Sequence, residues 1–177
     1  MILKVCRLGH PAVRAASDPV PPAALAAPEF QRFLDDMVDT MREYQGVGLA
    51  ANQVHESLRA AVAEVRADAS RARSTPAVPL TILINPEVVE RSPELEEGWE
   101  GCLSVPGLRG RVPRHAWVRV RALGRDGNAL DLRAEGFFAR ILQHECDHLA
   151  GKVYLDRMPD MKTLSFTEEF DRYAAAR

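Results

Sequence analysis

Three cysteines in 177 residues are too few, and odd in number, for a disulfide framework. Cys6, Cys102 and Cys146 therefore point to a reducing compartment. No apolar run reaches the roughly 18 residues that span a bilayer. The start, MILKVCRLGHP, has neither the apolar stretch nor the cleavage pattern of a secretory signal. An excess of one charge is also missing. With 23 basic and 25 acidic residues the formal charge is -2, which argues against bulk nucleic-acid binding and a polybasic membrane anchor. No internal repeat, low-complexity tract or interdomain linker breaks the chain. The expectation is a soluble, cytoplasmic protein that contacts neither nucleic acid nor membrane directly. The 46% hydrophobic residues suffice for a core. A chain of this length buries roughly 70% of its unfolded surface, so residues 1–177 read as a single domain.

The clearest helical period runs over 29–44, where Phe30, Phe33, Leu34, Met37, Val38, Met41 and Tyr44 recur at three- and four-residue steps. Pro28 suits its first turn and Gly46 its stop. Residues 18–28 read as an irregular connection. Residues 59–65 and 80–84 look like strands, separated by a polar, proline-containing loop over 67–79. Cys6 falls in an expected N-terminal strand. In 116–134, Val118, Val120 and Ala122 alternate with arginines, Asp126-Gly127 signals a turn, and Leu130 and Leu132 alternate on the return, which predicts a hairpin. A helix is predicted from about Glu135 to Ala150, capped by Gly151. A last short helix starts at Ser165, with Glu168 completing a capping-box pattern. Helix, strands, hairpin and helix in that order predict an α+β fold, a single compact domain with antiparallel strands around the 135–150 helix.

That helix carries Gln143-His144-Glu145-Cys146-Asp147-His148, an H-E-x-x-H pattern. Positions four apart share a helix face, so His144 and His148 can point at one metal ion while Glu145 reaches a water on it. Ile141, Leu142 and Leu149 draw the helix inward, and buried imidazoles beside carboxylates need a physical reason, which a metal supplies. A catalytic site of this kind takes three protein ligands and leaves one position for water. The upstream candidates His10, His55 and His115 are isolated and read as structural or surface residues. Cys102, in Glu100-Gly101-Cys102-Leu103-Ser104 between expected strands, is better placed, and a thiolate binds borderline metals strongly. Cys146 projects to another helix face and reads, like Cys6, as packing. Arg140 reads as a rim or solvent-facing residue. Asp147 reads as a partner orienting a ligand or nearby backbone, or as a surface ion pair.

Three segments together resemble the peptide deformylases: Gly46-Val47-Gly48-Leu49-Ala50-Ala51-Asn52-Gln53, Glu100-Gly101-Cys102-Leu103-Ser104 and Gln143-His144-Glu145-Cys146-Asp147-His148. They occur in the family's order and at its separations. Weaker similarity at Leu83-Ile84-Asn85-Pro86, Val112-Pro113-Arg114 and Gly151-Lys152 extends the resemblance over most of the chain. It implies that Cys102, His144 and His148 hold one divalent metal ion, ferrous iron in the cell, with zinc, nickel or cobalt able to substitute. It implies that Glu145 takes a proton from water, that the Gln53 amide and the Leu103 N–H stabilise the oxyanion, and that formate leaves. The implied substrates are N-formylmethionyl ends of nascent chains, hence proximity to the ribosome. The pocket should be apolar, with Val47, Phe137 and Ile141 lining it and Gly48 admitting the peptide backbone. Two residues depart from the family pattern: His55, where glycine is common, could alter the following turn, and Trp99 could reshape the pocket rim. The rival readings are an H-E-x-x-H peptidase with another third ligand and a structural metal site without a displaceable water. Glu145 argues against the latter, because such a site needs no base.

Overall fold

The computed structural model describes residues 1–66 and 76–173. Three helices open the chain: α1 (Pro11–Arg14), α2 (Pro22–Leu25) and α3 (Pro28–Glu43). Strand β1 (Gly48–Ala50) leads through a 3-10 turn (Ala51–Val54) to β2 (Ala60–Val65) and β3 (Val78–Arg91). Next come β4 (Leu95–Cys102), β5 (Val105–His115), β6 (Trp117–Leu123), β7 (Ala129–Glu135) and α4 (Gly136–Leu149). The chain closes with two 3-10 turns, β8 (Ser165–Phe166) and α5 (Thr167–Tyr173). One sheet runs β1-β2-β3-β6-β7 and the other β4-β5-β8, with every pairing antiparallel.

Period-two patterning explains why α3 and α4 take opposite faces of the larger sheet. Val62, Ile82 and Ile84 pack with Phe30, Leu34, Met37, Val38 and Met41 of α3. The intervening Ala63 and Leu83 pack with Ala139, Ile141 and Leu142 of α4. Ala61 and Ala63 are small, which lets α4 come close to the sheet. Its far side meets the second sheet: Gln143 exchanges two hydrogen bonds with the His115 backbone at the end of β5, at 3.0 and 2.9 Å. The result is a single compact α+β domain around a helix that is buried nearly all round.

Both long helices end in the same paired motif. At α4, Gly151 (φ 72) donates to His148 O at 2.9 Å, and Lys152 donates to Asp147 O at 2.9 Å. A Cβ on Gly151 would also lie 2.4 Å from the Arg14 carbonyl oxygen, so glycine is required twice over. At α3 the left-handed residue is Gln45 (φ 56), one place before the expected Gly46. Gly46 instead supplies the second bond, to Met41 O at 2.8 Å.

Other boundaries differ from expectation for identifiable reasons. Strand β3 continues past residue 84 because Asn85 adopts φ 53 at a bulge and its amide bonds both ways to Val20, at 2.8 and 2.9 Å. The bulge absorbs the Asn-Pro pair that reads as a turn in sequence. Val78 and Pro79 belong to β3, while 67–75 of the expected loop lie outside the described residues. The 18–28 connection contains the single turn α2. Residues around Cys6 form no strand, although Cys6 N donates to Gln53 O at 2.8 Å. Ser165 is not a helix cap: it pairs with Arg109 in β8, and α5 starts at Thr167.

Candidate active site

The two histidine-bearing turns of the H-E-x-x-H motif in α4 and the β4–β5 hairpin converge on one point. Cys102 Sγ lies 3.1 Å from His148 Nε2, and His148 Nε2 lies 3.2 Å from His144 Nε2. Tetrahedral coordination at ordinary Zn–S and Zn–N lengths puts ligand atoms roughly 3.3–3.6 Å apart, so these three side chains fit one metal ion with little adjustment. An orphaned polar atom agrees with that fit. Among the described residues Glu145 Oε2 is buried without a hydrogen-bond partner, an acceptor left free for a water. Burial pushes the Glu145 carboxyl up to about 7, against the lowering effect of His144.

The tautomer of His144 is set by Glu100. The Nδ1–H donates to Glu100 Oε2 at 2.9 Å, which leaves the Nε2 lone pair for a metal. Burial alone pushes the Glu100 carboxyl up, but hydrogen bonds from His144 and Arg114 reverse this and hold it well below the usual carboxylate range. Arg114 grips Glu100 with two bonds at 2.9 and 3.0 Å and also binds Asp147, which Arg157 grips in turn at 3.0 and 2.6 Å. Asp147 is therefore buried in an ion-pair network and acts through Arg114 rather than touching a candidate ligand. Arg140 lines the cavity but is not solvent-facing: it is 9% exposed and binds Glu100 Oε1, Val112 O and Glu96 O at 2.8, 2.8 and 2.7 Å. Glu100, Arg114 and Arg140 received no such role from sequence. For Glu100 a signal existed: it stands two residues before Cys102 on one strand, hence on the same face.

Gln53 approaches the same point. Its Oε1 accepts from Ala50 N–H at 2.9 Å, which turns Nε2 toward Ser104 Oγ at 3.1 Å and Cys102 Sγ at 3.6 Å. Ser104 thus helps hold Gln53. Leu103 occupies the hairpin turn, and the register passes from Cys102 to Val105 without it, so its N–H is not spent on strand pairing. Asn52, its neighbour in the motif, ties the turn to α4 by donating to His148 O at 2.6 Å. Gly48 has a reason beyond approach of a peptide. A Cβ there would fall 2.1 Å from Glu145 Oε1.

A cavity of about 1440 Å³ opens over these groups, lined by Gly48, Gln53, Cys102, Leu103, His144 and Glu145 and by Val47, Phe137 and Ile141. Ile141 is buried and Phe137 is 36% exposed. Trp99 also lines it and packs edge-on against Phe170 of α5 at 4.6 Å, so the rim is built partly from the C-terminal helix. Cys146 and His115 lie outside the cluster, the Cys146 thiol pushed up to about 12 by burial. His10 and His55 stand apart from it as well and group instead with Cys6.

A helix-borne H-E-x-x-H pair completed by a hairpin cysteine, with a buried carboxylate beside it, defines a metal-dependent hydrolase. The comparisons narrow the class. Residues 2–164 match the family model for polypeptide deformylase. The chain is 43% identical over 168 residues to peptide deformylase 1 of Bordetella pertussis, spanning 95% of this chain and 94% of the relative. It is 42% identical over 168 residues to peptide deformylase 2 of Pseudomonas putida, with the same coverage. Among solved structures, a Met-Ala-Ser-bound class I type b peptide deformylase from Acinetobacter baumannii superposes with a TM-score of 0.86 at 37% identity, over 89% of this chain and 99% of that one. The enzyme from Thermotoga maritima gives 0.78 at 32% identity, over 90% and 99%. The chain belongs to the peptide deformylase family. It is a hydrolase that removes the N-formyl group from N-formylmethionyl peptides.

Proposed function

We propose that Cys102, His144 and His148 hold one ion, ferrous iron in the cell, and that Glu145 is the proton carrier of the deformylation. The ion supplies Lewis acidity toward a water and the formyl oxygen. Glu145 accepts a proton from the attacking water, and its buried carboxylate holds that proton and returns it. The oxyanion that forms at the formyl carbon takes hydrogen bonds from Gln53 Nε2 and Leu103 N–H. Glu145 then gives its proton to the amine nitrogen as the C–N bond breaks, and formate leaves. Glu100 keeps His144 in the ligating tautomer. β1 is an edge strand that brings Gly48 to the cavity, and such an edge accepts an extended peptide. Val47, Phe137 and Ile141 form the apolar slot for the methionine side chain. Action on nascent chains places the enzyme in the cytoplasm, close to the ribosome.

The observation that carries this reading is the convergence of Cys102 Sγ, His144 Nε2 and His148 Nε2 beside a buried carboxylate with an unpartnered oxygen. The test is formate release from formyl-Met-Ala-Ser, run against cleavage of an internal amide in a blocked peptide. Formate release without internal cleavage is expected. Internal cleavage at a comparable rate would favour the peptidase reading.

A further inference from the structure

Three residues with no part in this chemistry meet in the lining of the same cavity. Cys6 lies in the irregular N-terminal segment, His10 precedes α1, and His55 ends the 3-10 turn that carries Gln53. One ligand atom from each falls within 4.8 Å of the others. The two imidazoles meet edge to face, 4.6 Å between centroids. Cys6 is buried and unpaired with any other cysteine, and both histidines are exposed. This is a buried thiol with two exposed imidazoles close by, in the wall of the cavity.

We propose that Cys6, His10 and His55 form a second metal site, separate from Cys102, His144 and His148, for a borderline divalent ion of the zinc type. One thiolate and two imidazoles suit such an ion, and the exposed side leaves its fourth position to water. The ligand atoms must draw in from their 4.8 Å limit to roughly 3.3–3.6 Å, and two exposed side chains are free to do so. His55 holds φ 71, a conformation that glycine adopts freely and other residues seldom. Among the described residues its imidazole makes no hydrogen bond, whereas it supplies the third ligand of this cluster. His10 Nδ1 accepts from Ala12 N–H at 3.2 Å, so ligation through Nε2 shifts the ring's proton to Nδ1 and gives up that contact.

Binding displaces the thiol proton, which Cys6 now directs to Gln53 O at 3.1 Å and Asn52 O at 3.4 Å. The ion therefore joins the N-terminal segment to the turn that holds Gln53. The site stands independently of the catalytic assignment.

The test is zinc stoichiometry, by elemental analysis after equilibrium dialysis of the full chain against Zn²⁺, for the wild type, His55→Gly and Cys6→Ser. His55→Gly removes a ligand while easing the backbone, so it is expected to fold. Wild type should bind one zinc per chain more than either variant. With the catalytic ion already in place, added zinc should raise Tm in wild type alone. Equal stoichiometry in wild type and His55→Gly overturns the proposal whatever the absolute count. The ion that both proteins retain reports separately on Cys102, His144 and His148.

Discussion

Arg114 and Arg119 stand five residues apart on consecutive strands, and each binds two carboxylates. Arg114 bridges Glu100 and Asp147 with its side chain 5% exposed, whereas Arg119 bridges Asp131 and Glu90 with 37% exposed. The inner cluster continues through Glu100 to His144 and Arg140. The outer one stays on the exposed side of β3, β6 and β7. In sequence both are arginines among acids; burial and connection separate them. Inside, every charge needs its partner, because an unpaired buried ion is costly. That demand fixes Glu100, and Glu100 in turn fixes a candidate metal ligand. Outside, water and salt can replace either partner.

Glu100→Gln should produce the largest contrast. It removes the charge that Arg114 and Arg140 share, which costs on the order of 3–5 kcal/mol for a broken buried pair. It also loosens His144, and loss of such an orienting partner lowers metal affinity about 10- to 100-fold. Denaturant melts and metal titration measure both. Normal affinity in a folded Glu100→Gln protein would detach the network from the site.

Close packing sharpens the same contrast at a glycine pair. Gly48→Ala puts a methyl into the Glu145 carboxylate, while a Cβ at Gly101 meets only Leu108 O at 3.5 Å. Displacing a catalytic group by about 1 Å can cost ~10²-fold, so Gly48→Ala should lose kcat on that order. Gly101→Ala should stay near wild type. Formate-release kinetics decide it, and equal kcat in the two would show that Glu145 tolerates displacement.

Arg157→Ala should fall between the two regions. Arg157 reaches the inner Asp147 but its side chain is 44% exposed, so the loss should be about 1 kcal/mol in a urea melt. Arg119→Ala should be the smallest, with no measurable change in Tm, activity or metal content. At 1 M salt, where the screening length is about 3 Å, the Glu100→Gln defect should persist. A large Arg119→Ala effect would erase the distinction between the regions.

Legibility in the sequence divides along the same line. Helix α3 and the β6–β7 hairpin show in periodicity because one face of each is apolar, while α4, buried nearly all round, shows through its motif and its glycine stop. The H-E-x-x-H pair shows because both histidines sit on one helix, and the family motifs add Cys102 and Gln53. Strands β4 and β5 are hard to read because Gly98, Gly101, Pro106, Gly107, Gly110 and Pro113 interrupt their alternation. Arg140 reads as a rim or solvent-facing residue because its partners, Glu100 and the carbonyls of Glu96 and Val112, come from the second sheet. Cys6, His10 and His55 look isolated because only the fold joins the N-terminal segment to the turn after Gln53.

The central claim is that Glu145 carries the proton while Cys102, His144 and His148 hold the ion. Formate release and metal content of Glu145→Gln, measured together on metal-replete protein, test it most directly. The account predicts wild-type metal content with kcat lowered by ~10²–10⁴-fold. Near-normal kcat at full metal content would contradict it.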